Sequence, residues 1–383
     1  MSHLNYFAQT KLGNSKWWTW PLVFWCMLMT WIIGQVILTS GFGSIATGID
    51  PELGTAFNDA AMAGFADVDM ARFGFSTLGF LISSVLAFVM LLISYNTSGT
   101  AQRVTGIICG IGVAGTFISL YGLAPMMSGG EALNAVFNQL LGRSPLAYAL
   151  MLLTFPGALV GLYLGYKFIH KRTITALHTG FAKFRWKRTF TAFFVMWGVL
   201  FTAGMGLSLA TGNAPSFVFD AGMFFKYALI SLLLLPIQSA TEEIIFRGYL
   251  NQGLIHFFKN KWVAFTITSA LFMAMHLANP EALAGAKDGI LPIVMSGYFF
   301  FGFAACLLIL IDDGLESAIG VHAGNNTFAA LFVNYENSVL PTPSIWQVKA
   351  NPVMDSIATI VILSIVVAIM WWINQRQKSA LAA

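Results

Sequence analysis

Three groups of polar residues stand in otherwise apolar stretches of this chain, and their types suit hydrolysis. Thr241-Glu242-Glu243-Ile244-Ile245-Phe246-Arg247 holds every formal charge between Lys226 and Lys259. Glu243 and Arg247 are four residues apart and share a helix face, whereas Glu242 is turned about 100° away and has no partner of opposite charge on its own helix. The second group is Phe272-Met273-Ala274-Met275-His276, and the third is His322 with Asn326, again four apart on one face, with Asn325 on a neighbouring face.

A glutamate whose charged form is disfavoured by burial can act as general base on a water, with an imidazole sharing in that activation. A second imidazole and an amide N–H can donate to the oxyanion of a tetrahedral intermediate. The same residue types also allow a Zn²⁺ site of two histidines and one glutamate with an open position for water, although no H-E-x-x-H helix signature is present. Singly, each group has a plainer explanation: a helix ion pair, a packing histidine, polar glue between helices. Three such groups on three separate elements favour chemistry. No serine triad stands out, Asp312 and Asp313 fall at a loop, and the glycine-rich pieces lack a phosphate-loop lysine.

The elements that must position these residues are membrane helices. Of 383 residues 57% are apolar, and only 20 are basic and 16 acidic, a charge density of 9% against roughly 25% in soluble domains. Mean hydropathy is +0.74. This excludes an ordinary soluble globule and a disordered chain; Cys26, Cys109 and Cys306 all lie in apolar runs, which excludes a disulfide scaffold. The expected fold is all-α, a polytopic transmembrane helix bundle with about ten spans: Trp18–Leu38, Phe73–Ser94, Thr105–Met127, Pro145–Phe168, Thr189–Ala210, Tyr227–Phe246, Trp262–Ala278, Ile290–Ile311, Leu315–Val333 and Val353–Ile373. Leu315–Val333 carries Glu316, His322, Asn325 and Asn326 and must therefore pack inside the bundle.

The loop holding Lys167, Lys171, Arg172, Lys183, Arg185, Lys187 and Arg188 has no acid and is expected on the cytoplasmic side. Alternating from it gives 14 basic residues inside against 5 outside, with Arg247 near a helix end and both termini cytoplasmic. The expected location is a plasma (inner) membrane, multi-pass, with the first apolar run an uncleaved span. Glu242 lies 18 residues before Asn260 and His276 16 after it. At about 1.5 Å per residue both stand about 25 Å from a hairpin turn at Lys259–Lys261, so two antiparallel helices bring them to one level.

Together, Glu242-Glu243-x-x-x-Arg247, Phe272-x-x-x-His276 and His322-x-x-x-Asn326 resemble the CAAX-processing and bacteriocin-processing (CPBP, Abi or type II CAAX prenyl endopeptidase) intramembrane endopeptidases. The resemblance covers about residues 231–332. It divides the chain into N-terminal transmembrane helices at 1–166, a basic loop at 167–188 and a protease-like domain at 189–383. It implies that Glu242 is the general base, that His276 positions or activates water, and that His322 and Asn326 form the oxyanion site. Glu243, Arg247 and Phe272 would support the site. It implies a glutamate-dependent endopeptidase with no cofactor, zinc being the minority alternative, acting on a membrane protein or peptide in the lipid bilayer, with no nucleic-acid partner. Two other functions remain open from the residues: a non-catalytic membrane binding or immunity protein, and a proton-coupled transporter.

Overall fold

The structure, a computed structural model, describes residues 5–66, 130–210, 215–335 and 338–382, together with Gly212 and isolated positions between residues 78 and 115. The expected spans Phe73–Ser94 and Thr105–Met127, with Asp67, Asp69, Arg72, Arg103 and Cys109, lie wholly or largely outside the described residues. The chain divides into two compact units. One comprises Met1–Leu12, Leu141–Pro156 and Thr173–Ala383, the other Gly13–Leu140 and Gly157–Arg172.

The helices of the first half are α1 (Thr19–Thr39), α2 (Phe42–Ile49), α3 (Pro51–Ala66), α4 (Gly130–Arg143) and α5 (Pro145–Phe168). Inside the smaller unit α1 and the second half of α5 pack closely because Gly157, Gly161 and Gly165 recur every four residues along one face. A Cβ at Gly161 would lie 2.2 Å from the Cys26 carbonyl oxygen, and the Gly161 amide donates to Thr30 Oγ1 at 3.1 Å. Small residues at this spacing let two helix backbones approach in a membrane, where lipid supplies no hydrophobic drive between them.

The larger unit holds all three polar groups. After a short helical turn at Thr175–His178 come α6 (Trp186–Val199), α7 (Ala221–Glu243), α8 (Asn251–Phe258), α9 (Lys261–Ala274), α10 (Pro280–Lys287), α11 (Leu291–Asp312), α12 (Glu316–Leu331) and α13 (Pro352–Ala382). The Asp220 carboxylate caps α7 by accepting from the amides of Gly222 and Met223. The turn between α8 and α9 is where the spacing puts it: Lys259 takes a left-handed φ of 54°, and Asn260 caps α9.

The α-helical membrane bundle stands; of the ten expected spans, two lie wholly or largely outside the described residues. Among the described residues five helical segments are long and apolar enough to cross: Thr19–Ile49, Pro145–Phe168, Ala221–Phe258, Leu291–Asp312 and Pro352–Gln377. Helices α9 and α12 have 14 and 16 residues, about 21 and 24 Å, short of a core about 30 Å thick. The α-helix over the expected Trp262–Ala278 span ends at Ala274 and continues as a turn through residues 275–278 to Asn279, which the following proline holds in extended geometry. The expected span at Thr189–Ala210 is helical throughout, with a π-helical segment at Leu200–Gly204 followed by α-helix at Met205–Ala210. Nor is the chain wholly α: β1 (Ser216–Phe217), β2 (Val333–Tyr335) and β3 (Trp346–Val348) form a small sheet with β3 in the middle, antiparallel to β1 and parallel to β2. These loop segments carry backbone groups that no helix satisfies, and pairing them meets that need.

Helix α12 is buried along nearly its whole length, as its polar residues require. Gly320 and Gly324 press it against α6: a Cβ at Gly320 would lie 2.2 Å from the Thr189 carbonyl oxygen, and one at Gly324 would lie 2.9 Å from that of Phe193. Trp197 Nε1 closes the contact by donating to the Gly324 carbonyl at 3.0 Å. Because residues two apart on a helix differ by about 200°, His322 and Asn326 face away from α6, toward α7. The N-terminal end of α12 is pinned by charge. Arg185 donates twice to Glu316, through Nε to Oε1 and Nη2 to Oε2, each at 3.0 Å. Buried Arg188 donates to Asp312 Oδ1 at 2.8 Å, and Asp312 Oδ2 accepts from the Ser317 amide at 3.1 Å.

Candidate active site

Helix α7 delivers Gln238, Ser239, Glu242 and Glu243, and at Ile244 the chain passes into a π-helical segment, Ile244–Leu250, that carries Arg247. π-helical turns leave backbone hydrogen bonds irregular and recur at functional sites. Glu243 and Arg247 are fully buried, with Arg247 Nη1 3.4 Å from Glu243 Oε1. The guanidinium makes no hydrogen bond to any described residue; it lies over the Phe272 ring at 4.1 Å, and among the described residues the carboxylate and the aromatic face compensate its charge. A Cβ on Gly302 of α11 would come within 3.2 Å of Arg247 Nη2, so that glycine makes room for the side chain.

His322 stands between the two glutamates. Its Nδ1 lies 2.7 Å from Glu243 Oε1, and its Nε2 lies 3.8 Å from Glu242 Oε2. A carboxylate can only accept, so Nδ1 carries the proton and Nε2 is turned to Glu242. Glu242 is bonded on its other oxygen by Gln238 Nε2, while Oε2 makes no hydrogen bond to any described residue. Its side chain is 16% exposed, against 0% for Glu243, so of the two carboxylates it is the one a water can reach. An atom 2.8 Å from both Glu242 Oε2 and His322 Nε2 would subtend about 85° between them, an acceptable pair of hydrogen bonds for one water.

Asn326 joins the same cluster through α7. Its Nδ2 donates to Gln238 Oε1 at 3.1 Å and to Ser239 Oγ at 3.2 Å, and its Oδ1 accepts from Asn325 Nδ2 at 3.1 Å. His276 lies in the turn beyond α9, with Nδ1 2.7 Å from the Phe272 carbonyl oxygen. Among the described residues no hydrogen bond joins it to Glu242 or to His322. Phe272 ties the groups together, its ring centroid 4.6 Å from His276, 6.1 Å from His322 and 5.5 Å from Phe246. The structure thus brings Glu242, Glu243, Arg247 and His322 into one cluster, reaches Asn326 through Gln238, and reaches His276 through Phe272.

Gln238, Ser239, Tyr298, Phe301 and Gly302 were not singled out from the sequence. Gln238 and Ser239 carried a signal, since each stands four residues before a glutamate of the motif and so on its face. Tyr298, Phe301 and Gly302 lie in the apolar run of α11, where nothing in the spacing distinguishes a packing residue from one that touches an imidazole. Among the described residues, no three histidine, cysteine, aspartate or glutamate side chains come together as a metal-binding group.

A carboxylate pair, one member buried and the other partly exposed, two imidazoles and an amide thus stand together inside a helical bundle, a set of groups suited to hydrolysis. Residues 224–328 match the family described as type II CAAX prenyl endopeptidase Rce1-like. The chain is also 30% identical over 229 residues to the uncharacterized protein YyaK of Bacillus subtilis (strain 168), covering 58% of this chain and 74% of that one. No solved structure matches. The chain belongs to the Rce1-like type II CAAX prenyl endopeptidase family, a family of membrane proteases of the CAAX type.

Proposed function

We propose that this protein is an intramembrane endopeptidase that cleaves peptide bonds of membrane-associated proteins or peptides, with Glu242 as the base that activates water. The observation that carries the proposal is the free Glu242 Oε2, 3.8 Å from the Nε2 of an imidazole whose other nitrogen is held by Glu243. In this mechanism a water bound between Glu242 Oε2 and His322 Nε2 passes a proton to Glu242 as its oxygen attacks the scissile carbonyl. Glu243 keeps the His322 ring in place through Nδ1, and the imidazolium form of His322 donates Nε2–H to the developing oxyanion. Asn326 Nδ2 adds a second donor by exchanging one of its present acceptors, Gln238 or Ser239, for the substrate oxygen. His276 offers Nε2 as the further group for water or for the leaving amine. Glu242 then returns its proton to that amine and the site is restored. No step is routed through a metal.

We place the protein in a plasma membrane with both termini and the basic loop on the cytoplasmic side, following the distribution of lysine and arginine. One observation favours a second, non-catalytic reading: both donor bonds of Asn326 are already satisfied within the bundle, as interhelical glue requires. The experiment that separates them uses purified protein in liposomes with two internally quenched probes, an S-farnesylated CAAX peptide and a single-span membrane peptide, each with and without 1,10-phenanthroline. Chelator-resistant cleavage of either probe supports the mechanism. Cleavage abolished by the chelator moves it to a metal, and cleavage of neither leaves the binding function.

A further inference from the structure

His276 is the one member of the cluster that lies beyond the end of a helix. It follows α9 in the turn that precedes Asn279-Pro280, its amide donating to the Met273 carbonyl at 3.0 Å and its carbonyl accepting from the Asn279 amide at 3.1 Å. Its Nδ1 is fixed on the Phe272 carbonyl at 2.7 Å, which leaves the orientation of the ring about that bond to be set by what touches its faces. The closest ring is that of Tyr298 on α11, stacked at 4.3 Å between centroids with 26° between planes.

Tyr298 is itself fixed from the other side. Its hydroxyl donates to Glu281 Oε1, and Asn279 Nδ2 donates to the Tyr298 oxygen at 2.8 Å. Asn279 belongs to the same turn as His276, and Glu281 to the first turn of α10, so the phenol ties together three elements that meet at His276. Phe301, three residues further along α11, places its ring 4.9 Å from His322. Residues three apart share a helix face, so one face of α11 supports both imidazoles of the site.

We propose that Tyr298 is a positioning residue for His276, its stacked ring setting the direction of His276 Nε2, with Glu281 and Asn279 holding Tyr298 in register. The inference rests on His276 taking part in the peptide hydrolysis proposed above. The ring, and not the hydroxyl, does the positioning; the hydroxyl bond only steadies the ring. Tyr298→Phe keeps the stack and loses both hydroxyl bonds, to Glu281 and from Asn279, whereas Tyr298→Leu loses the stack as well.

The test compares wild type, Tyr298→Phe and Tyr298→Leu in the liposome cleavage assay and, without substrate, in the rate at which diethyl pyrocarbonate modifies His276, followed by mass spectrometry with His256 as internal reference. Tyr298→Leu is expected to lower kcat by about 10- to 100-fold, the cost of a catalytic group held out of line, with KM within about twofold. Tyr298→Phe is expected to stay within about threefold of wild type in kcat. Modification of His276 is expected to accelerate several-fold in Tyr298→Leu and not in Tyr298→Phe, because a ring freed on one face exposes Nε2. Equal losses of kcat in both variants, or a modification rate unchanged in Tyr298→Leu, overturn the proposal. A wild type that cleaves neither probe while His276 responds as expected overturns the protease reading and keeps the positioning contact, so the two failures are distinguishable.

Discussion

Replacing Glu243 by alanine tests the innermost charge pair. In the native fold Glu243 and Arg247 are both at 0% exposure and 3.4 Å apart, and no nitrogen of Arg247 makes a hydrogen bond to a described residue. Removing the carboxylate leaves a fully buried guanidinium with only the Phe272 face for compensation, and removes the acceptor of His322 Nδ1. Deleting one partner of a buried pair costs about 3–5 kcal/mol, because the remaining charge is left uncompensated. That is a large part of a net stability of about 5–15 kcal/mol. The double variant Glu243→Gln, Arg247→Met removes both charges, keeps an acceptor for His322 and fills the space beside Phe272. It is expected to recover to within about 1–2 kcal/mol of wild type, since exchanging a whole buried pair for neutral groups is often close to neutral. The assay is equilibrium unfolding in mixed micelles followed by tryptophan fluorescence. A cost below about 1 kcal/mol for Glu243→Ala, or a cost of the double variant equal to the sum of those of Glu243→Gln and Arg247→Met alone, contradicts this role for the pair.

Two further predictions concern packing and pH. Gly320→Ala sets a methyl group against the Thr189 carbonyl oxygen, at 2.2 Å before relaxation, and is expected to cost about 1–3 kcal/mol. Gly198→Ala on α6 meets nothing within 4 Å and is expected to be neutral or stabilising by up to about 1 kcal/mol; a reversed order in thermal unfolding contradicts the α6–α12 packing. His178, in the basic loop, has its imidazole held below the usual 6.5 by burial, with its bond to the Ile174 carbonyl and the charge of Glu316 opposing. With the folded value below the unfolded one, the unfolded chain takes up the proton first. This contribution to stability is therefore complete above pH 6.5 and is lost as pH falls from 6.5 toward the folded value. His178→Gln is expected to flatten the acid side of the unfolding profile, and an unchanged slope below pH 6.5 contradicts this assignment.

Much of the site was legible because intramembrane polar residues are costly and therefore few. Glu242, Glu243, Arg247, His322 and Asn326 stand out in apolar runs, and their four-residue spacings give the faces that the structure uses. Pro145–Phe168 was legible to the residue, bounded by a proline at its start and Lys167 at its end. Hydropathy alone could not separate a helix that crosses the membrane from a short one buried inside the bundle. Thus α9, which ends at Ala274, and α12, pressed on α6 by Gly320 and Gly324, counted as spans. The partner of each imidazole was not legible either. Glu243 meets His322 across 79 positions of sequence, and Tyr298 meets His276 from within an apolar helix, so both depend on tertiary packing that no local pattern encodes.

The central claim is that Glu242 activates the attacking water. The most direct measurement is kcat of Glu242→Gln against wild type in liposomes, on whichever quenched probe the wild type cleaves, with the unfolding midpoint measured on the same preparations. Glutamine keeps the size and the bond to Gln238 but cannot take a proton, so kcat is expected to fall by about 10²- to 10⁴-fold with the midpoint unchanged. A folded Glu242→Gln protein that cleaves at the wild-type rate would contradict the account.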